Sequence, residues 1–153
     1  MYKMDTKLIK RNLFEKCREL HLSKIRTLEA EMEEAEKSAN EYVQESDIFD
    51  SQKMQLIGKR DMYAAQLSNE SALLKTLYKV DPYVKNDKVE FGSVVITDLQ
   101  KVFISIGLGK VNLDSETYYA ISPKVPFYEA MKGLKKGDSF DFRGRKINII
   151  DVF

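Results

Sequence analysis

Residues 1–57 contain neither glycine nor proline, and this uninterrupted stretch constrains the fold more than any other feature of the sequence. Apolar residues recur in it at alternating intervals of three and four, which is the spacing of a coiled-coil seam. The seam runs through Ile25, Leu28, Met32, Ala35, Ala39 and Tyr42, and extends backwards through His21, Cys17 and Phe14. It predicts a helix from about residue 6 to 44, roughly 58 Å long at 1.5 Å per residue. A helix of this length needs a partner that covers its seam.

A second seam in the same chain supplies the predicted partner. It consists of Leu56, Tyr63, Leu67, Leu74 and Leu77. The acids Asp47 and Asp50 lie between the two seams, and a short turn near residues 45–48 would join the helices in antiparallel directions. We therefore predict a coiled-coil hairpin over residues 1–78, with its tip near residues 45–50.

The sequence changes character after residue 78. Pro82 and the Asn86-Asp87 pair end the helical pattern, and they predict a linker over residues 79–88. Beyond it, runs of β-branched and aromatic residues predict strands, and a short helix is expected from Pro126 to Gly133. We predict an α+β fold in which residues 89–153 form a small antiparallel sheet domain with one short helix.

Charge is segregated along the chain, although the net charge is only +1. Residues 1–26 carry eight lysines and arginines against three acids, whereas residues 29–50 carry nine acids against one lysine. The glutamates of the second block are interpreted as ion-pair partners across the hairpin, Glu34 with Arg60 and Glu36 with Lys59, in preference to a surface that steers binding. The chain lacks the basic surface and stacking aromatics of an autonomous nucleic-acid binder, so no independent DNA binding is predicted.

Other classes of protein are disfavoured by what the sequence does not contain. No run of about 18 apolar residues is present, and the first residues lack the apolar core of a signal peptide, so a cytoplasmic protein is predicted. The single cysteine, Cys17, has no partner for a disulfide or a zinc site. The carboxy-terminal half has no Ser/His/Asp set, which favours a binding domain. His21 is expected to pack on the seam rather than to act as a ligand.

The carboxy-terminal half carries a set of short motifs in a fixed order. They are Phe91-Gly92-Ser93-Val94-Val95 at the opening of the sheet, Ile121-Ser122-Pro123, Pro126, and Gly133-Leu134-Lys135-Lys136-Gly137-Asp138 after the short helix. Together with the hairpin, this order resembles the bacterial transcript-cleavage factors GreA and GreB over nearly the whole chain. The resemblance implies that the sheet domain has a fold like that of the FK506-binding proteins (FKBP-like) and docks on RNA polymerase at the mouth of its secondary channel.

The resemblance also implies roles for particular residues. The family's tip motif, D-L-x-E-N-A-E-Y, is similar to the stretch that starts at Asp47, and the spacing of its first two acids is kept. Asp47 and Asp50 would then be the catalytic and metal-binding acids, which share a Mg²⁺ with the polymerase and bind none tightly alone. Basic hairpin residues would lie near the 3′ end of the nascent RNA: Lys53, Lys59 and Arg60. Docking on the polymerase is expected to involve Ser122, Pro123, Phe127, Met131 and Gly133.

By this resemblance the protein is a monomeric elongation factor that stimulates cleavage of backtracked RNA by the polymerase, and it is not an enzyme by itself. Several departures from the family motif leave a second hypothesis open, a secondary-channel regulator that does not stimulate cleavage. Ser46 replaces a usual glycine, Phe49 separates the acids, Asp50 is shorter than glutamate, and Lys53 occupies an acidic position. A third hypothesis is a coiled-coil adaptor that dimerises through its long helices.

The singled-out residues also have simpler structural interpretations. Asp47 and Asp50 are suited to cap the start of the second helix, since aspartate is favoured at that position. Ser122-Pro123 would be a bend between a strand and a helix.

Overall fold

A computed structural model of the protein describes residues 5–41 and 47–153, and of residues 47–50 it describes the backbone only. Helix α1 extends over Thr6–Glu41 and helix α2 over Asp47–Leu77. The start of α1 agrees with the prediction, whereas α2 begins inside the predicted turn of residues 45–48. An acidic residue is favoured in the first turn of a helix, which accounts for helix at Asp47. Ser46 and the last seam residue, Tyr42, lie outside the described residues.

Burial along both helices confirms the coiled-coil hairpin. Every described seam residue of α1 is buried or half-buried, and so is every predicted seam residue of α2. His21 lies against Glu70, whereas Ala35 shares a depression with Leu56 and Lys59. Facing positions therefore run in opposite directions along the two helices, so the hairpin is antiparallel. No helix within the described ranges is long and apolar enough to cross a membrane.

A six-stranded sheet and one short helix follow the hairpin, which confirms the α+β fold class. The strands are β1 (Val94–Thr97), β2 (Lys101–Ile104), β3 (Gly109–Leu113), β4 (Glu116–Ile121), β5 (Ser139–Phe142) and β6 (Arg145–Val152), and α3 is Pro126–Met131. Their spatial order is β3-β4-β2-β1-β6-β5.

The sheet differs from the prediction in one strand and one pairing. Strand β3 was not predicted, because it is an edge strand in which Val111 alone is fully buried. It forms a hairpin with β4, and this places β4 beside β2 in the parallel direction. The sheet is therefore mixed rather than wholly antiparallel. A run of strand-forming residues does not reveal which strands pair across such a connection.

Helix α3 covers one face of the sheet and forms a core with it. Val102 and Ile104 on β2, and Ile147 and Ile149 on β6, point into this core because alternate strand residues share a face. From α3, Phe127 meets Phe140 and Phe142 edge to face, with ring centroids 5.6 and 5.2 Å apart. This geometry is favourable for aromatic rings.

Contacts divide the chain into two compact units. One unit contains the described residues 5–19 together with Lys75–Phe153, and the other contains Leu20–Leu74. In the first unit, Thr6 and Ile9 of α1 line a groove together with Ile96 and Tyr118 from the sheet. Separate folding of residues 1–78 and 89–153, with a linker at 79–88, stays a prediction.

Lys10 is a buried cation within the first of these units. Its side chain is 2% exposed, and Nζ donates hydrogen bonds to the Val84 carbonyl oxygen at 2.7 Å and to Asn86 Oδ1. Burial lowers the pKa of Lys10 to about 8, although the nearby carboxylates of Asp81 and Glu90 act in the opposite direction. Folding therefore disfavours the charged form of this side chain.

Replacing Lys10 should alter how stability depends on pH. Between about pH 8 and its ordinary pKa of 10.5, the unfolded chain holds the Lys10 proton while the folded chain releases it. The wild type should therefore gain roughly 2–3 kcal/mol of unfolding free energy across this window relative to Lys10→Met. Urea unfolding at several pH values measures the difference, with Lys110→Met on β3 as an exposed control. Parallel pH profiles for wild type and Lys10→Met would contradict this expectation.

Candidate functional site

The two acids of the predicted tip lie on the first turn of α2. Asp47 is the first residue of the helix and Asp50 follows three residues later, while α1 ends at Glu41. Residues three apart are neighbours on a helix surface, so two carboxylates at this spacing can approach one cation. The side chains of Asp47 and Asp50 lie outside the described part of the structure, so their metal-binding and catalytic roles stay predictions.

The start of a helix also gives these acids a purely structural use. Negative charge in the first turn interacts favourably with the free N–H groups and the helix dipole, which contributes about 0.3–1 kcal/mol. A Mg²⁺ ion needs more oxygen ligands than two carboxylates provide. Among the side chains that the structure describes, no three His, Cys, Asp or Glu residues come together as a metal site.

The three basic residues that were assigned to RNA differ in their exposure. Lys59 is exposed and its Nζ lies 5.9 Å from the centroid of the Tyr63 ring. Lys53 and Arg60 are half-buried. Lys53, Arg60 and the seam residue Leu67 follow one another at intervals of seven residues. Lys53 and Arg60 therefore lie on the seam side of α2. Lys59 is therefore the residue of the three whose side chain is most available to a phosphate.

The ion pairs expected across the hairpin are not formed. Within the described residues, Glu34 makes no salt bridge with Arg60, and Glu36 makes none with Lys59. Arg60 instead contacts its neighbour Asp61, with 3.0 Å between Nη2 and Oδ1. Because Asp61 is adjacent in sequence, this pairing needs no register between the helices. That part of the charge interpretation is wrong.

A polar cluster joins the two helices at a point where the sequence predicted only packing. His21 is fully buried, as expected for a seam residue, and its Nε2 contacts the Glu70 carbonyl oxygen. Since a carbonyl oxygen only accepts hydrogen bonds, Nε2 donates. His21 Nδ1 lies 3.4 Å from Glu70 Oε2, and Lys24 Nζ lies 2.9 Å from Glu70 Oε1. Glu70 was not recognised as a seam residue because it is charged, although it lies seven residues after Tyr63 and fourteen after Leu56.

The side chains assigned to polymerase docking differ in their surroundings. Ser122 and Pro123 follow β4 and are half-buried, and Ser122 Oγ accepts a hydrogen bond of 3.2 Å from the Lys124 N–H. Ser122 and Pro123 therefore form the bend between strand and helix that their simpler structural interpretation predicts. Phe127 and Met131 point into the sheet core, so any effect of theirs on docking would act through the position of α3.

Gly133 shapes the chain after α3. It has φ of +79°, a conformation that glycine adopts without strain, and its N–H donates to the Val89 carbonyl oxygen at 2.8 Å. The backbone conformation alone therefore explains why residue 133 is a glycine, and no contact with a partner protein is needed to explain it. Docking roles for Gly133 and the other four residues stay predictions.

Comparison with known proteins gives matches among solved structures. No protein-family model and no curated protein matches the chain. One matching structure, of the transcription factor Gfh1, shares 19% identity with a TM-score of 0.33, and the match covers 88% of this chain and 92% of that one. Another, the GreA factor homolog 1 (Gfh1) protein of Thermus thermophilus, shares 17% identity with a TM-score of 0.32, and covers 89% and 94%. The chain is thus structurally similar, at low identity, to a GreA factor homologue.

Proposed function

We propose that this protein is a transcription elongation factor that binds RNA polymerase, inserts its hairpin into the secondary channel and stimulates the polymerase's own cleavage of backtracked RNA. The observation that carries the proposal is the pair Asp47 and Asp50 on the first turn of α2. Helix α2 has 31 residues and is about 46 Å long at 1.5 Å per residue, a length suited to a deep channel. The motif order from Phe91 to Asp138 supports the same function.

In this proposal the chain contributes charge and position rather than a complete active site. Asp47 and Asp50 would supply two carboxylates to a Mg²⁺ whose other ligands belong to the polymerase. A bound Mg²⁺ lowers the pKa of a coordinated water and stabilises charge on the leaving oxygen. Lys59, with its exposed side chain, is the candidate to contact a phosphate of the RNA 3′ end. The protein would then be a cofactor of the polymerase and not an enzyme by itself.

A second candidate is a regulator that occupies the same channel without stimulating cleavage. The residues of the tip favour it, because Phe49 places an apolar side chain between the acids and Lys53 adds positive charge where the family has an acid. Both candidates require polymerase binding. They differ only in whether stalled transcripts are shortened in the presence of the protein.

Docking is tested by a substitution at the bend after β4. We expect Ser122→Arg to weaken binding to purified bacterial RNA polymerase by on the order of tenfold, because a long charged side chain obstructs a close-packed interface. Ser139→Arg, on the exposed end of β5, is the matched control and should bind like the wild type. Biolayer interferometry gives both affinities. Wild-type protein that does not bind the polymerase would overturn the proposed function, whereas equal affinities for the two variants would exclude docking through Ser122.

A further inference from the structure

A groove with a volume of 520 Å³ opens on the sheet face that lies opposite α3. Strand residues Ile96 and Tyr118 line it, and they alternate with the residues that contact α3. Ile150 is 53% exposed and adds apolar surface at the same place, whereas Phe153 lines the groove but is only 3% exposed. The volume is within the range of about 300–1,000 Å³ that is typical of small-molecule sites.

Three lysines from separate parts of the chain line this groove: Lys85 before the sheet, Lys101 on β2, and Lys136 after α3. Lys101 is held in place, because its Nζ pairs with Glu116 and lies 5.6 Å from the centroid of the Tyr118 ring. The other two lysines are less engaged. Lys136 Nζ is 4.0 Å from Asp151 Oδ1 and its side chain is 71% exposed, whereas Lys85 is exposed and makes no ion pair within the described residues.

This combination of surfaces suits one class of ligand. An apolar floor alone would favour an uncharged molecule, and lysines alone on an open surface would bind anions weakly because the high dielectric constant of water weakens the attraction. An apolar wall beside a cation strengthens the attraction, since part of the surrounding water is excluded. We propose that the groove binds a small amphipathic anion, whose apolar body lies on Ile96 and Ile150 and whose carboxylate, sulfonate or phosphate is met by Lys85 and Lys136.

Neither the two acids of the hairpin nor any residue assigned to polymerase docking is among the described residues that line the groove. Every residue that lines it belongs to the unit made of residues 5–19 and Lys75–Phe153. Asp151 also lines the groove and competes with a ligand for Lys136. A substitution of Lys136 should therefore weaken ligand binding, whereas a substitution of Asp151 should strengthen it.

The test uses the full-length protein and the fluorescent aromatic sulfonate 8-anilinonaphthalene-1-sulfonate. We expect saturable binding to one site, with Lys85→Gln and Lys136→Gln each raising Kd by on the order of tenfold. Asp151→Asn should lower Kd, because it frees Lys136. Lys146→Gln, an exposed lysine of β6 outside the groove, is the matched control and should leave Kd unchanged.

Two further measurements separate this site from unspecific dye binding. The uncharged probe N-phenyl-1-naphthylamine should bind without any dependence on Lys85 or Lys136. In methyl NMR spectra the sulfonate should shift the resonances of Ile96 and Ile150, while Ile147, on the α3 face, should not move. Equal Kd values for the wild type and the Lys85→Gln/Lys136→Gln double variant would overturn the proposal, as would shifts that leave out Ile96 and Ile150.

Discussion

If the proposed function is correct, Asp47→Asn and Asp50→Asn should each reduce the stimulation of RNA cleavage by on the order of 100-fold. Asparagine keeps the size of the side chain but lacks the negative charge with which a hard cation is held. Polymerase binding should remain as in the wild type, because the proposed docking surface lies in the sheet domain. The loss should also be reduced by added Mg²⁺, since a weakened site fills at a higher metal concentration.

The assay follows the shortening of labelled transcripts in stalled elongation complexes, with polymerase affinity measured on the same variants. Asp141→Asn removes an exposed carboxylate from β5 and is the matched control, which should cleave like the wild type. If both tip variants bind and cleave normally, the acids have only their structural role at the start of α2. If the wild type binds but shortens no transcript, the second candidate function, the channel-occupying regulator, is the correct one.

The hairpin was predictable from the sequence because its signal is local and periodic. A residue on the seam is buried by the geometry of the coiled coil itself, so the spacing of Leu28, Ala35 and Ala39 is enough to orient α1. Helix α3 was predictable for a similar reason, since Pro126 suits the first turn of a helix and Gly133 adopts a positive φ after its end.

Other parts of the fold depend on contacts between distant residues, which no local pattern encodes. Strand β3 carries one fully buried side chain, so its pairing with β4 decides its structure more than its composition does. Lys10 lies four residues before Phe14 on the seam, but no local pattern indicates that Val84 and Asn86, more than 70 residues away, accept hydrogen bonds from it. Glu34 and Arg60 were paired from an assumed register alone. Exposed ion pairs contribute little free energy, so they do not fix the register of two helices and cannot be predicted from the sequence alone.

The candidate site shows the same division. The position of Asp47 and Asp50 at the start of α2 follows from where the two seams stop, which is a property of the sequence. The amphipathic groove could not be inferred in this way. Lys85, Lys101 and Lys136 are far apart in the chain, and the sheet topology brings them together.

The second large effect is expected at the polar cluster inside the hairpin. His21→Ala should lower the free energy of unfolding by about 2–4 kcal/mol. The substitution removes a fully buried ring, leaves a cavity on the seam, and removes the side-chain donor to the Glu70 carbonyl oxygen. Arg26→Ala, an exposed change on the next turn of α1, should cost less than about 0.5 kcal/mol and serves as the control.

A double-mutant cycle tests whether His21 acts through the Glu70 side chain as well as through its backbone. Glu70 Oε2 faces His21 Nδ1, and Oε1 faces Lys24, so Glu70→Gln alone disturbs both contacts. If the side chains of His21 and Glu70 interact, His21→Ala/Glu70→Gln should lose less unfolding free energy than the two single variants lose together. The expected difference is about 0.5–2 kcal/mol. Denaturant unfolding of all four proteins gives the coupling. If the two losses of unfolding free energy are strictly additive, His21 does not interact with the Glu70 side chain. The histidine would then contribute only through its packing on the seam and its contact with the Glu70 backbone.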